Sequence, residues 1–287
     1  MNRITSSISI CASILFSVVS SAAEADIMDF HHWSLVQDPP HVHFSGIVDS
    51  NSQATLRATG GPIPHATDVG FQSINGSTPA SSTSGYAFDP SADFMVAIDF
   101  NLTFTSPLGG LAIGFGIGED ADGKNSAGAV LLTRNGSPFP GFFPVFGAAA
   151  RINDVNQLPQ IILFPAQTTG RFIAGYQAAT GNIVLGVSTN GDDLPEGIAT
   201  YAGIQNNWNG GMLFPSFFLR SDNLPGAAWT SGTADAVFTN FHVISGSATQ
   251  LSATAVPEPS SLMLLALGGL GLIGRSRVRK AKDVRHC

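Results

Sequence analysis

Residues 94–104 alternate strictly between two kinds of side chain. Phe, Val, Ile or Leu stands at every second position, and Met, Ala, Asp, Asn or Thr stands between them. A period of two places the apolar side chains on one face of a β-strand, whereas a helix would scatter them around its surface. A run of this length exceeds the usual strand, so the chain is expected to build a large sheet with one buried face.

Further segments have the same character. A second alternation, with Gly or Ala between apolar residues, covers 111–117, and strand-like runs occupy 130–133, 160–164, 171–176, 182–188, 214–220 and 236–244. Turn-forming pairs separate them, namely Ser106-Pro107, Asn135-Gly136, Gly181-Asn182 and Asn190-Gly191. No stretch outside the two ends of the chain keeps an apolar period of 3.6 over three turns. The sequence therefore predicts one all-β domain, a sandwich or barrel, over residues 26–245.

The N-terminal residues 1–25 have the three parts of a secretory signal peptide. Arg3 supplies the positive charge, 8–19 is a short apolar run, and Ala23 and Ala25 are small residues at a cleavage site. The apolar run is too short for a comfortable membrane span. We expect this segment to be removed on export; the alternative is a buried N-terminal helix.

The C-terminal residues 256–287 also have three parts. A Pro-Glu-Pro motif precedes an apolar run, and an Arg-rich end follows it. The matching residues are Pro257, Glu258 and Pro259, the run 262–273, and Arg275, Arg277 and Arg279. The run is shorter than the ~20 residues of a full crossing, so it predicts a short transmembrane helix that the cationic end retains in the cytoplasm. A Ser/Thr/Ala-rich linker over 246–255 joins this tail to the domain.

This order of parts resembles the PEP-CTERM sorting signal of Gram-negative bacteria. The resemblance implies recognition by an exosortase, cleavage near the Pro-Glu-Pro motif, and delivery to the cell surface or extracellular matrix. Proteins with this signal are often linked to exopolysaccharide and biofilm formation. An ordinary C-terminal anchor is the alternative.

The charge of the mature region excludes several classes of protein. Residues 26–255 contain 17 acidic and six basic side chains and no cysteine. Such a surface does not suit nucleic-acid binding through phosphate neutralisation, and a chain without thiols is not a disulfide scaffold. An acidic surface is compatible with cation binding, and it disfavours adhesion to anionic polymers unless a metal bridges them.

Two segments resemble a concanavalin A-like, laminin G-like sandwich. The first is Gly-Tyr-Ala-Phe-Asp-Pro at 85–90, which leads into the long alternating strand, and the second is the closing strand at 234–243. The resemblance implies a jelly roll of two large antiparallel sheets. Because this fold carries lectins, glycosidases, adhesion modules and spacers, it implies no single function.

The sequence lacks the acid pair that glycosidases of this fold use. In the glucanase branch, Glu-x-Asp-x-x-Glu places carboxylates on one strand. The counterpart here is the strand around Asp99, which has no flanking glutamate, and the mature region contains only Glu119 and Glu196, in separate loops. We therefore predict that the protein is not an enzyme.

The strongest polar cluster is an acidic loop that follows the Gly-alternating strand. Its candidate ligands for Ca²⁺ are Glu119, Asp120, Asp122 and Asn125. Hard cations require several oxygen ligands, which Asp and Asn on a Gly-kinked loop can supply. Other loops must complete such a site, and a second acidic loop with Asp192, Asp193 and Glu196 could do so. The alternative is a solvated polar hairpin, since turns use the same residues.

Two more segments have the composition of binding sites. Asn206, Asn207, Trp208 and Asn209 form a loop in which an aromatic ring lies beside amides, as in lectin sites; the alternative is a Trp that covers the open end of the core. His31, His32, His41 and His43 cluster near the mature N-terminus and have the chemistry of Zn²⁺ or Cu²⁺ ligands, although ordinary surface imidazoles are favoured.

The sequence as a whole predicts an exported, non-enzymatic protein of the cell surface or matrix that binds or organises exopolysaccharide through a lectin-like sandwich. Its expected partners are the exosortase and secretion machinery, the inner membrane during transit, and an extracellular polysaccharide, but no nucleic acid. The alternatives are a glycan-active hydrolase or lyase with an unrecognised site, and a passive structural module. The sequence leaves the ligand and the oligomeric state open.

Overall fold

The computed structural model describes residues 26–135, 144–163, 166–222 and 226–252. These residues form β-strands and three short 3-10 helices, at Phe30–His32, Pro79–Ser81 and Ile204–Asn207. The strands are β1 (Ser34–Asp38), β2 (Phe44–Ser50), β3 (Gln53–Thr59), β4 (Asp68–Gln72), β5 (Tyr86–Phe88), β6 (Phe94–Gly118), β7 (Ser126–Asn135), β8 (Val145–Ile152), β9 (Val155–Asn156), β10 (Gln160–Leu163), β11 (Thr169–Gln177), β12 (Asn182–Ser188), β13 (Gly197–Tyr201), β14 (Phe214–Ser221), β15 (Ser231–Ser245) and β16 (Ala248–Gln250).

The strands form two large antiparallel sheets, which confirms the predicted sandwich. The front sheet has the order β1-β4-β14-β6-β7-β8, and β9 and β10 both pair with β8. The back sheet has the order β2-β3-β15-β6-β11-β12-β13. Strand β6 belongs to both sheets, and β5 and β16 form a separate small sheet.

The predicted turn at Ser106-Pro107 is wrong, because β6 runs through it without reversing. Residues 94–108 pair with β11 and β15 in the back sheet, and 109–118 pair with β7 and β14 in the front sheet. Ser106 and Gly109 have positive φ values of 49° and 95°, which redirect the chain between the sheets. Both halves find partner strands on either side, so the chain passes from one sheet to the other.

The folded region also extends further than the predicted domain boundary. Strand β16 lies within the segment that was predicted as a linker, and its residues pair with β5. Leu251 continues this contact through a backbone hydrogen bond of 2.7 Å to Gly85 O. The composition of this segment predicts a linker, because Ser, Thr and Ala are common in linkers and do not by themselves indicate that a residue is buried.

The core lies between the two sheets and is built largely from phenylalanine. The rings of Phe217 on β14 and Phe238 on β15 are 4.4 Å apart across the interface. Trp33 packs on Phe241 of β15 at 5.0 Å and on Phe217 at 5.4 Å. Because side chains alternate along each strand, the other face of the front sheet points away from this core.

Several predictions fall outside the described residues. They are the signal peptide at 1–25 and the sorting tail, including its apolar run. Within the residues that the structure describes, no helix has the length and apolar character that a membrane crossing needs.

Candidate functional site

A groove with a volume of about 820 Å³ crosses the outer face of the front sheet. Residues of β1, β4, β14, β6, β7 and β8 line it, and the acidic loop after β6 forms part of its wall. The groove thus lies on the face of the sheet opposite the core, over its central strands.

The floor of the groove is bare backbone at its glycines. A Cβ on Gly116 would clash with the carbonyl oxygen of Ala127, and a Cβ on Gly70 would clash with that of Phe217. Only glycine fits at such points, so no side chain fills the groove there. A ligand can therefore approach the sheet backbone closely.

Four side chains on β4 and β14 line the groove above this floor. The guanidinium of Arg220 lies 5.4 Å from the centroid of the Phe218 ring and donates to Asp68 Oδ2 at 2.6 Å. Burial raises the pKa of the Asp68 carboxyl, and Arg220 offsets that shift only in part. The ring, the ion pair and the open backbone together form a surface that is partly apolar and partly polar.

The fourth side chain, Gln72, has an amide that no other residue of the groove contacts. It is 7% exposed, and its amide has no hydrogen-bond partner within the described part of the chain. Among the described residues, Thr67 Oγ1 is the one side-chain polar atom that is both buried and without a partner, so the amide of Gln72 still reaches solvent through the groove. An amide that has no protein partner and borders a groove can exchange its hydrogen bonds to water for hydrogen bonds to a ligand.

The two loops that the sequence singled out meet at Glu119. Its side chain is only 3% exposed. Oε1 accepts hydrogen bonds from Asn125 Nδ2 at 2.9 Å and from the Asn209 amide at 2.5 Å, and Oε2 accepts one from the Gly211 amide at 3.1 Å. Glu119 therefore ties the acidic loop to the segment around Trp208, and its oxygens stabilise the fold.

The remaining candidate ligands for Ca²⁺ are also engaged. Asn125 Oδ1 accepts from the Asn153 amide at 2.7 Å, and Asp122 pairs with Lys124 at 2.6 Å. Among the described residues, no group of three or more His, Cys, Asp or Glu side chains is placed to hold a metal ion. The oxygens do not converge on one point in this arrangement, and calcium binding stays a prediction.

The Trp208 loop is held against the domain. Trp208 is 7% exposed, belongs to the hydrophobic core, and donates from Nε1 to the Arg151 carbonyl at 3.0 Å. Asn206 and Asn207 donate to the carbonyls of Thr180 at 3.1 Å and Gly203 at 3.3 Å. This geometry agrees with the packing alternative, and sugar binding by this loop stays a prediction.

The predicted histidine cluster comes together only in part. The rings of His41 and His43 lie 5.3 Å apart, and His43 Nδ1 donates to the Thr59 carbonyl at 2.8 Å. His31 instead contacts Asp29 at 2.9 Å. The pair of imidazoles is therefore without a third ligand in the described residues.

The pKa of the Asp120 carboxyl allows the described structure of the acidic loop to be tested. Burial and the neighbouring Asp122 together raise its pKa to about 6, against the hydrogen bonds from the Asn125 and Lys124 amides, which lower it. Because this pKa exceeds the unfolded value, the wild-type protein loses stability as the pH rises from about 4 to about 6. Asp120→Asn is therefore expected to raise the melting temperature by roughly 2 °C near neutral pH, after allowance for solvent screening, and to have no effect near pH 4.

Asp122→Asn is the matched control. Burial raises the pKa of Asp122, but the hydrogen bond from Lys124 outweighs it and holds that pKa below its ordinary value. Its carboxylate therefore stabilises the fold above the unfolded pKa, so the substitution should lower the melting temperature near neutral pH. Thermal melts in chelator at both pH values measure the two effects, and equal signs would contradict this description of the loop.

Groove residues Gln72 and Phe218 were missed by the sequence analysis. Both lie in strands of ordinary composition. In such strands, the residues that face away from the core are predicted to belong to an ordinary solvated surface. The significance of Gln72 comes from its missing partner, which only the structure reveals.

Comparison with known proteins adds a sorting motif and a fold. Residues 255–280 match the model of the PEP-CTERM protein-sorting motif, which covers the predicted Pro257, Glu258, Pro259, Arg275, Arg277 and Arg279. No curated protein sequence matches the chain.

The solved structures share the fold at low identity. A protein of unknown function from Saccharomyces cerevisiae is 10% identical, with 76% of this chain and 99% of that chain covered and a TM-score of 0.50. The alginate lyase from Klebsiella pneumoniae (10% identity, 78% and 99% covered, TM-score 0.46) and a legume lectin-like domain from Entamoeba histolytica (10%, 75% and 90%, 0.41) also match. The described residues thus form an antiparallel β-sandwich similar in fold to the yeast protein. The chain also carries a PEP-CTERM protein-sorting motif, which indicates export and processing by an exosortase.

Proposed function

We propose that this chain is an exported, non-enzymatic protein that binds polysaccharide in the groove of its front sheet. Its place of action is the cell surface or extracellular matrix of a Gram-negative bacterium. The sorting motif supports export, and the groove supports binding. The groove suits an extended chain, because its lining comes from six neighbouring strands of the front sheet.

The unpaired amide of Gln72 carries this proposal. Sugar hydroxyls both donate and accept hydrogen bonds, so one hydroxyl pair can satisfy the NH₂ and the carbonyl of a glutamine together. The amide lines the groove and has no partner among the described residues, so a ligand in the groove can contact both of its polar groups. A bound sugar would replace the water at this amide, and each hydrogen bond would contribute about 0.5–1.5 kcal/mol net.

The ring of Phe218 and the glycine floor support the same function. An aromatic ring offers an apolar surface to the C–H face of a sugar, while nearby polar groups orient its hydroxyls. The ring lies beside the Arg220–Asp68 ion pair, whose polar atoms border the groove. Bare backbone beneath allows the sugar chain to lie flat on the sheet.

Calorimetric titration of the purified full-length protein tests the proposal. The probes are dextran, an N-acetylglucosamine hexasaccharide, a glucosamine hexasaccharide and an alginate hexasaccharide. Gln72→Ala and Phe218→Ala are each expected to weaken binding of the best probe about tenfold, because each removes a contact of roughly 1.4 kcal/mol. Gln250→Ala, on β16 and outside the groove, is the matched control and should bind as the wild type does.

Two results would overturn the proposal. Binding that is unchanged in both groove variants, or the absence of binding to all four probes, would remove the groove as a polysaccharide site. Release of new reducing ends or unsaturated products from any probe would replace the non-enzymatic function by the alternative, a glycan-active enzyme.

A further inference from the structure

Four Asn-Gly pairs occur in the chain, and they begin at Asn75, Asn135, Asn190 and Asn209. In such a pair, the backbone nitrogen of the glycine can attack the side-chain carbonyl carbon of the asparagine, because glycine has no Cβ to obstruct the approach. The attack requires an asparagine amide that is free to rotate and a glycine N–H that is not committed to an acceptor. The fold meets these two requirements to different degrees at the different pairs.

The pair at Asn75 is held on both sides. Asn75 Oδ1 accepts hydrogen bonds from the amides of Thr83 at 2.9 Å and Ser84 at 3.1 Å, and its Nδ2 donates to Thr83 Oγ1 at 3.0 Å. The amide of Gly76 is engaged as well, since it donates to Ser82 Oγ at 2.9 Å. Several hydrogen bonds must therefore open before this pair can react.

Two further pairs are held through the asparagine alone. Asn190 Oδ1 accepts from Ser188 Oγ at 2.7 Å and from the Asp192 amide at 3.1 Å, which fixes the orientation of its carboxamide. Asn135 donates from Nδ2 to the Pro107 carbonyl at 2.7 Å, and the glycine that follows it lies outside the described residues. The side chain must leave its partners at either position before its carbonyl carbon can meet the glycine nitrogen.

The pair Asn209-Gly210 has neither restraint. Among the described residues, the side chain of Asn209 makes no hydrogen bond and the N–H of Gly210 has no acceptor. Both residues are exposed, and a Cβ on Gly210 would meet no atom within 4 Å. The amides on either side are fixed, because those of Asn209 and Gly211 both donate to the buried carboxylate of Glu119. The reactive atoms are thus accessible, and they lie in a segment whose position depends on Glu119.

We infer that Asn209 is a site of spontaneous succinimide formation, and that the product loosens the contact of this segment with Glu119. The Gly210 nitrogen gives up its proton and bonds to Cγ of Asn209, and the side-chain nitrogen leaves as ammonia with that proton. Water then adds to either ring carbonyl, which opens the ring to an aspartate or an isoaspartate. The net change replaces NH₂ by OH, with no oxidation or reduction, and it does not depend on polysaccharide binding.

The isoaspartate changes the path of the backbone beside Glu119. In this product the main chain runs through Cβ and Cγ of position 209, so it is one bond longer between the amides of Asn209 and Gly211. Those two amides bind the two oxygens of one carboxylate, and a longer path between them no longer matches that spacing. The new α-carboxylate also adds negative charge near Glu119. Because Glu119 holds Asn125 of the acidic loop as well, its release affects one wall of the groove.

Ageing of the purified full-length protein tests the inference. The folded protein is kept for weeks in mildly alkaline buffer, and peptide mapping by mass spectrometry follows the gain of about 1 Da that each conversion brings. We expect Asn209 to convert roughly tenfold faster than Asn75, whose hydrogen bonds must open first, with Asn190 between them. The rate should rise with pH, because the glycine nitrogen attacks after it has lost its proton.

A variant and an unfolded sample are the controls. Asn209→Gln keeps the side-chain amide and the backbone contacts to Glu119, but its attack would need a six-membered ring. It should lose the conversion at this position, while the peptides with Asn75 and Asn190 age as in the wild type. In guanidinium chloride the contacts that hold Asn75 and Asn190 are gone, so their peptides should convert at rates similar to that of Asn209.

The isoaspartyl form, separated by chromatography, should melt roughly 5 °C below the unaged protein, as expected for the loss of a hydrogen bond to a charged group. Aged Asn209→Gln should keep its melting temperature. Three results would overturn the inference. They are conversion of Asn75 or Asn190 as fast as Asn209 in the folded protein, the same order of rates in guanidinium chloride, and an isoaspartyl form that melts as the unaged protein does.

Discussion

Glu119→Ala is expected to lower the melting temperature of the protein by roughly 10 °C, which corresponds to about 4 kcal/mol in a domain of this size. The substitution removes a buried carboxylate that accepts three hydrogen bonds. Hydrogen bonds to charged groups contribute more than neutral ones, and the loss also leaves the amides of Asn209 and Gly211 without their acceptor. Differential scanning calorimetry of the purified protein measures the shift.

The chain offers a matched control for this prediction. Glu196 is the other glutamate of the mature region, and its exposed side chain accepts one hydrogen bond, from the Thr189 amide at 2.6 Å. Glu196→Ala should therefore cost less than about 1 kcal/mol. Glu119→Gln should fall between the two, since it keeps one carbonyl oxygen and the shape of the side chain. Equal shifts for the two Ala variants would contradict a structural role for Glu119.

Glu119 shows why a local sequence pattern identifies candidate ligand residues but not their hydrogen-bond partners. Its neighbours along the chain are acidic, so the local pattern indicates a cation site. Its hydrogen-bond partners include the Asn209 amide, 90 positions away, and only the fold brings them together. A local pattern identifies residues with unusual chemistry, but long-range topology decides whether that chemistry faces a ligand or the protein itself.

The fold itself was largely predictable from alternation. Run 182–188 coincides with β12, and 214–220 lies within β14. Both halves of β6 were also predicted as strands, but their union was not, because Ser106-Pro107 has the composition of a turn. Whether such a pair reverses the chain depends on which strands flank it, and those strands come from distant parts of the sequence.

The groove was less predictable than the sandwich that carries it. Gln72 ends an unremarkable strand, and Gly116 belongs to an alternation that reads equally well as ordinary sheet. The floor exists because glycines of neighbouring strands come into register with one another, as Gly116 pairs with Gly128 across β6 and β7. Register between strands is not encoded in either strand alone.

Trp208 provides the second large effect. Trp208→Ala is expected to destabilise the protein by about 4 kcal/mol, or roughly 10 °C, because it empties a core position next to β8 and breaks the hydrogen bond to the Arg151 carbonyl. Trp208→Phe keeps most of the apolar volume and should cost only about 1–2 kcal/mol. Asn207→Ala, at an exposed neighbour, should stay within about 0.5 kcal/mol.

The same variants decide between the two roles that the composition of this loop allows. A core tryptophan stabilises the fold without touching the ligand. At a temperature well below the melting temperature of the variant, Trp208→Phe should therefore bind the best saccharide probe as the wild type does. A tryptophan that stacks on sugar predicts the reverse, with weaker binding in Trp208→Phe and in Asn207→Ala and little change in stability. Binding and melting measured on one preparation separate the two roles. The indole is 7% exposed, so in the packing role its substitution lowers the melting temperature and changes binding only where the protein has begun to unfold.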